Sequence, residues 1–189
     1  MEIRNLSKSF DTHIVLDDVS LSFRDGDIYA LMGSSGRGKT TLLHILMGLQ
    51  TPDGGDISDF QDKKISAVFQ ENRLCDFLTA EENIKIVLPT SVALSLDIPA
   101  ALAEILPAES LHQPVRTFSG GMKRRAAIAR AMLAPSDLLI MDEPFSGLDE
   151  GTKEQVMAFI LKYRDGRTLL FSTHDEDDVK AMKAGLVRL

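Results

Sequence analysis

Gly33, Gly36 and Gly38, followed directly by Lys39 and Thr40, have the residue types and the spacing of a phosphate cradle. The run Gly33-Ser34-Ser35-Gly36-Arg37-Gly38-Lys39-Thr40 matches G-x-x-x-x-G-K-[ST]. Glycines let successive backbone N–H groups curl around anionic oxygens. A helix that starts where the loop ends adds its dipole and its unpaired N–H groups. Lys39 then reaches terminal phosphates, and the Thr40 hydroxyl is placed to ligate Mg²⁺. The chemistry this implies is binding of a nucleoside triphosphate.

A second candidate is the carboxylate pair Asp142-Glu143, at the end of the apolar run Leu138-Leu139-Ile140-Met141. A buried strand that delivers two adjacent carboxylates can divide labour between them. Asp142 can hold Mg²⁺ through its water shell. Glu143 points differently and can accept a proton from an attacking water. The bland alternative, an acidic turn, is outweighed by the phosphate loop upstream. A third candidate is Phe118-Ser119-Gly120-Gly121-Met122, ahead of a helical run over 123–133. It is either a second anion site at a helix N-terminus or a plain helix cap by Ser119, and the residues alone leave both open.

These groups need elements to position them. Ile28-Tyr29-Ala30-Leu31-Met32 before the loop reads as a buried strand, and 41–47 after it as a helix stopped by Gly48. Two strands, 2–10 and 14–23, precede them, with Val15, Val19, Leu21 and Phe23 mostly alternating. Thr51-Pro52-Asp53-Gly54-Gly55 reads as a turn cluster, and 65–69 as a strand ending at Gln70. From about 79 to 114 strand signals fade. Thr79 caps an acidic-first helix at Glu81-Glu82-Asn83-Ile84, and Pro99 opens another over 98–106. Alternation then resumes: helix 151–163, strand 168–173, helix 175–183 and a short strand 186–189. This pattern predicts an α/β fold with a mainly parallel sheet core, an N-terminal antiparallel portion and ligands at the carboxyl ends of strands. A short helical subdomain, about 79–135, is expected as an insertion in a single domain spanning 1–189.

The chain has 189 residues, 44% hydrophobic, enough for one well-buried domain. The formal net charge of -7 argues against nucleic acid as a partner. One cysteine, Cys75, excludes an intrachain disulfide and reads as a small apolar residue. No apolar run approaches the ~20 residues of a membrane span, so any membrane role is expected to come through a partner. His13, His44 and His112 show no ligand spacing, and Lys123-Arg124-Arg125 reads as a solvated basic face.

Over essentially its whole length the chain resembles an ATP-binding cassette ATPase. The phosphate loop is similar to the family's Walker A motif, and Leu138 with the residues up to Glu143 to its Walker B motif and catalytic glutamate. Phe118-Ser119-Gly120-Gly121-Met122 resembles the signature usually written Leu-Ser-Gly-Gly-Gln. Ser146-Gly147-Leu148-Asp149 resembles the D-loop, Gln70 the Q-loop glutamine, and His174 within Ser172-Thr173-His174-Asp175 the switch histidine. Phe10 lies where the family places an aromatic that stacks on adenine.

The resemblance implies the P-loop nucleotide-hydrolase fold with a RecA-like core, and ATP and Mg²⁺ as ligands. It implies that two copies pair head to tail around two ATP molecules. Each nucleotide would lie between Gly33, Ser34, Ser35, Gly36, Arg37, Gly38, Lys39, Thr40 and Thr41 of one copy and Ser119, Gly120 and Gly121 of the other. Glu143 would polarise water, His174 would contact the γ-phosphate, Gln70 would touch the Mg²⁺ shell, and Asp149 would tie the two sites together. Integral membrane subunits would be the driven partners, on the cytoplasmic face, with Leu74, Phe77 and Leu78 either contacting them or filling the core. The stretch around Thr79 is similar to ATPases of the nitrate, sulfonate and taurine importer group.

Three departures stand out. Met122 and Phe118 replace the usual Gln and Leu, and Arg37, read as a solvated side chain or as added charge near ATP, stands where a small residue is common. The rival functions are a soluble cassette ATPase acting on nucleic acid or ribosomes, and a small-molecule kinase. The kinase leaves Ser119 and His174 unexplained.

Overall fold

The computed structural model describes residues 1–34 and 36–189; Ser35 lies outside the described residues. The chain divides into two compact units. The first comprises Met1–Ile65, Ser136–Asp142 and Gly166–Leu189, and the second Ser66–Pro135 and Glu143–Asp165.

In the first unit, β1 (Glu2–Phe10) pairs antiparallel with β2 (His13–Ser22) on one side and with β4 (Gly54–Asp56) on the other. The expected alternation of β2 is broken. Leu16 is its fully buried residue, while Val15, Val19 and Leu21 are half-buried. The cause is a set of register shifts along β1–β2, with Asn5 and Asp18 both in left-handed backbone. The turn cluster at 51–55 turns out to end in strand β4. Gly55 sits at φ 94, and a Cβ there would lie 2.6 Å from the Arg4 and Asn5 carbonyl oxygens, so only glycine lets β4 approach β1 this closely. A short helix not foreseen from the sequence, α2 (Ser58–Gln61), follows and buries Phe60 edge-on to Phe23, ring centroids 6.1 Å apart.

β3 (Ile28–Met32) leads into α1 (Lys39–Leu46), which begins two residues earlier than the apolar spacing implies because Gly38, at φ 85, is its N-cap. Lys39 and Thr40 are therefore the first helical residues. Leu42, Leu43, Ile45 and Leu46 of α1 join Ile3, Leu6, Leu16, Phe23, Leu31, Leu138, Ile140 and Leu170 in one core. Each such side chain gains about 1.5–3 kcal/mol on burial, so α1 is anchored by its apolar face. The parallel strands of this unit run in the order β6-β7-β3-β8, with β6 (Leu138–Met141), β7 (Thr168–Ser172) and β8 (Gly185–Arg188), while β5 (Ile65–Val68) starts at Ile65 and continues into the second unit. At the start of β5 the Lys64 carbonyl accepts from the Asp137 and Leu138 N–H groups at 2.8 and 3.2 Å. β6 and β7 are buried along their whole length, as parallel strands covered on both faces must be. α8 (Glu176–Ala181) is capped by Asp175.

The second unit is helical. Thr79 and Glu82 form a reciprocal capping box that starts α3 (Ala80–Lys85), as expected of Thr79. α4 (Thr90–Ser95) buries no residue, which is why no apolar periodicity announces it. α5 (Ile98–Ala103) is capped by Asp97 and ends three residues sooner than read, although Ile105 and Leu106 beyond it stay buried. α6 (Gly120–Leu133) and α7 (Glu150–Tyr163) complete the unit, and α6 packs against α3, α5 and α7.

Candidate functional site

Three neighbouring parallel strands of the first unit end side by side. β3 runs out at Met32 into Gly33, β6 at Met141 into Asp142, and β7 at Ser172 into Thr173-His174. Their register pairs Leu31 with Ser172 and Met141 with Phe171, so the phosphate loop, Asp142 and Ser172 are delivered to one edge. The Thr40 hydroxyl donates to Asp142 Oδ2 at 2.8 Å across a sequence separation of 102 residues. The Ser172 hydroxyl donates to Asp142 Oδ1 at 2.5 Å. Asp142 is thus a buried carboxylate with each oxygen bonded to a hydroxyl from a different element. A hydroxyl and one carboxylate oxygen in mutual contact, at a helix start, are the hard oxygen donors that Mg²⁺ takes alongside substrate phosphates. Among the described residues no cluster of three His, Cys, Asp or Glu is arranged to hold a metal, and a Mg²⁺ that borrows phosphate oxygens needs none.

The loop itself is tightly built. Lys39 is 9% exposed, and its Nζ donates to the Gly33 carbonyl at 2.7 Å and the Ser34 carbonyl at 3.3 Å, so the ammonium is curled over the loop. A Cβ at Gly38 would lie 2.8 Å from Leu16 Cδ2 and 2.9 Å from the Val15 carbonyl, which fixes glycine there beyond its left-handed φ. Gly36 is also left-handed but faces open space. Arg37 is exposed, as a solvated side chain would be, and Thr41 is half-buried. Gly38 gives α1 no side-chain cap, so the first-turn N–H groups depend on whatever lies in the loop.

His174 is exposed at the end of β7. Its segment is braced from both sides. Thr173 N–H donates to the Leu31 carbonyl at 3.2 Å, and the Thr173 hydroxyl donates to the buried Asp178 at 2.6 Å. Phe10, at the end of β1, is 44% exposed, with Lys8 Nζ 5.4 Å from its ring centroid.

In the second unit Ser119 is the N-cap of α6, its Oγ accepting from Met122 N–H at 3.2 Å. Gly120 and Gly121 are the first two residues of the helix rather than a turn before it, and a Cβ on Gly120 would meet nothing within 4 Å. Phe118 is buried beneath them, so its exchange for the family's usual Leu is a matter of packing. Gln70 is exposed. Glu143 is half-buried and stands at φ 47, a left-handed conformation that costs a non-glycine residue about 1–2 kcal/mol and concentrates at working sites. Asp149 caps α7, and the Thr152 hydroxyl and N–H hold its carboxyl below the usual range.

Two expectations are corrected. The cluster Lys123-Arg124-Arg125 is not a solvated face: Arg124 is buried, and Arg125 reaches the Ile105 carbonyl at 2.7 Å. Helical spacing carries the missed signal, since Arg124 shares a face with the buried Ala127, Ile128 and Ala131. Cys75 is exposed instead of serving as an apolar filler, because Asn83 holds its backbone N–H and carbonyl at the loop surface. Phe77, 81% exposed, does not fill the core. Ser172, though inside a recognised motif, carries no role in the sequence pattern; only strand register brings it to Asp142.

The profile of the family described as "ABC transporter" matches residues 16–146, well over half of the chain. The chain is 32% identical to the "Sulfate/thiosulfate import ATP-binding protein CysA" of Pseudomonas aeruginosa, over 94% of its own length and 60% of the relative's. It is 37% identical to the "Aliphatic sulfonates import ATP-binding protein SsuB 1" of Nocardia farcinica, over 94% of its length and 73% of the relative's. It spans 52% of the "Putrescine transport ATP-binding protein PotG" of Escherichia coli, so it covers about half to three fifths of several curated relatives. Among solved structures it is similar to "Dimeric Structure of MJ0796, a Bacterial ABC Transporter Cassette", with TM-score 0.81, 26% identity and coverage of 100% of this chain and 93% of that one. A second similar structure, TM-score 0.80 at 26% identity with the same coverage, is titled as a post-hydrolysis state of that cassette bound to ADP and Pi. The strand-end convergence, the matched profile and these likenesses agree, and the chain belongs to the ABC transporter family.

Proposed function

We propose that the chain is the ATP-binding and ATP-hydrolysing subunit of a membrane importer, working as a head-to-tail pair of copies that closes on two ATP molecules. The observation that carries this is the contact between Thr40 and Asp142, which joins the phosphate loop to the end of β6 at the common strand edge. Thr40 and Asp142 would hold Mg²⁺, with Gln70 reaching its water shell. The ion, when bound, neutralises charge building on the phosphates. Lys39 and the first-turn N–H groups of α1 bind and orient the phosphates, Phe10 stacks on the base, and His174 contacts the γ-phosphate. Glu143, aimed by its left-handed backbone, takes the proton of the attacking water. Ser119, Gly120 and Gly121 of the second copy complete the enclosure, and Asp149 links the two sites. The segment just ahead of α3 presents the exposed Phe77 to membrane subunits.

Import is supported by the relatives, which are named as import or transport ATP-binding proteins; the inner face of a membrane is where such a subunit would meet cytoplasmic ATP. No described helix is long and apolar enough to cross a membrane, so the path for solute would come from other chains. Nothing in the names favours nucleic acid or ribosomes. The test is Glu143→Gln. It retains ATP binding, lowers hydrolysis by roughly 10²–10⁴-fold, and accumulates an ATP-dependent dimer by size exclusion. Hydrolysis at the wild-type rate in that variant would remove Glu143 as the base. Recovery with ribosomes, and never with an integral membrane protein, would remove the transport role.

A further inference from the structure

The segment between β5 and α3 forms no strand or helix of its own, and only its far end takes donors from another stretch of backbone, Asp76 from Arg116 N–H and Leu78 from Val115 N–H, each at 2.8 Å. Buried carbonyl groups in such a loop need donors from elsewhere. Between Phe69 and Arg73 those donors are two arginines of α6. Arg124, 7% exposed, donates from Nη1 to the Phe69 carbonyl and from Nη2 to the Gln70 carbonyl, each at 2.5 Å. Arg130 donates from Nη1 to the Arg73 carbonyl at 2.7 Å and from Nη2 to the Asn72 carbonyl at 3.3 Å. Burial lowers the Arg130 pKa, so its guanidinium sits in a desolvated place where its bonds count for more. Further along, the fully buried Asn83 of α3 accepts from Cys75 N–H at 2.7 Å and donates to the Cys75 and Thr79 carbonyls at 3.1 and 2.9 Å. The loop is gripped by side chains over most of its length.

The fork on Gln70 singles out Arg124. A guanidinium presents parallel donors in a fixed plane, so one side chain fixes two successive peptide groups in orientation as well as place. A lysine carries the same charge but cannot reproduce the fork. Arg124 stands five residues from Ser119, the cap of the same helix, so α6 carries the signature serine at its start and the grip on Gln70 little more than a turn later.

We propose that Arg124, supported by Arg130, is a positioning residue that sets the Gln70 side chain for nucleotide hydrolysis by fixing its backbone. This rests on the role given to Gln70 above. The test is a double-mutant cycle on the full chain with Arg124→Lys and Gln70→Ala, reading kcat for ATP, with thermal melts as the control for folding. If Arg124 acts through Gln70, Arg124→Lys lowers kcat roughly tenfold when Gln70 is present and by less than about twofold in the Gln70→Ala background, where little remains to position. The same fold loss in both backgrounds, or no loss in either while Gln70→Ala is impaired, overturns the proposal. Gln70→Ala hydrolysing at the wild-type rate is the separate result that removes the Gln70 role, and the positioning role with it. If Arg124→Lys does not fold, Arg130→Lys runs the same cycle. It supports the proposal by a smaller loss that also vanishes without Gln70, and overturns it by a loss that does not.

Discussion

Removing the Ser172 hydroxyl should loosen Asp142 without touching any residue of the recognised motifs' cores. Ser172 is fully buried and donates to Asp142 Oδ1 at 2.5 Å, while Thr40 serves Oδ2. Ser172→Ala leaves one oxygen of a buried carboxylate without that donor. Such a loss costs about 1–3 kcal/mol, and for a domain of this size each kcal/mol lowers Tm by about 2–4 °C. A fall of about 4–8 °C is therefore expected for a cost near the middle of that range. Ser172→Cys separates the hydrogen bond from the volume, because the thiol is a weak donor of similar shape, and it should lose nearly as much. If Asp142 also holds Mg²⁺, the loosened carboxylate raises the Mg²⁺ concentration for half-maximal hydrolysis by roughly tenfold. The assays are differential scanning fluorimetry and a Mg²⁺ titration of ATP turnover. A melt unchanged in Ser172→Ala, together with an unchanged Mg²⁺ requirement, would refute the account of how Asp142 is held.

Two further outcomes follow from caps. Ser119→Asp keeps a good N-cap for α6 but sets a negative charge where the second copy's γ-phosphate is proposed to lie. The monomer should bind ATP normally and the ATP-dependent dimer should fail to form, whereas weakened binding to the monomer would place Ser119 in its own copy's site. The Thr79 N–H, and after it the Thr79 hydroxyl, holds the Glu82 carboxyl below its ordinary value of 4.5. Because the folded value is depressed, the capping box contributes fully above about pH 4.5 and fades as pH falls through the folded-state value. The Tm gap between wild type and Glu82→Gln should accordingly close on acidification; a gap that widens would reverse the sign of this linkage.

The sequence by itself determined what depends on neighbours along the chain. The phosphate loop, the helix cap at Thr79 and the strand ending in Asp142-Glu143 were all legible, because turns, caps and apolar runs are local. The short elements β4, α2 and α4 were not. β4 exists only because Gly55 lets it lie against β1, and α4 buries no residue that could produce a period.

What only the tertiary structure decided are the pairings between distant residues. Thr40 meets Asp142 across 102 positions, Ser172 meets Asp142 across 30, and Arg124 reaches Phe69 across 55. No propensity or spacing encodes such meetings. They are set by strand register and by the face α6 buries, and both come from satisfying backbone groups and apolar faces throughout a unit at once. The arginine that composition assigned to solvent is buried for that reason, with the backbone of Gln70 in its fork.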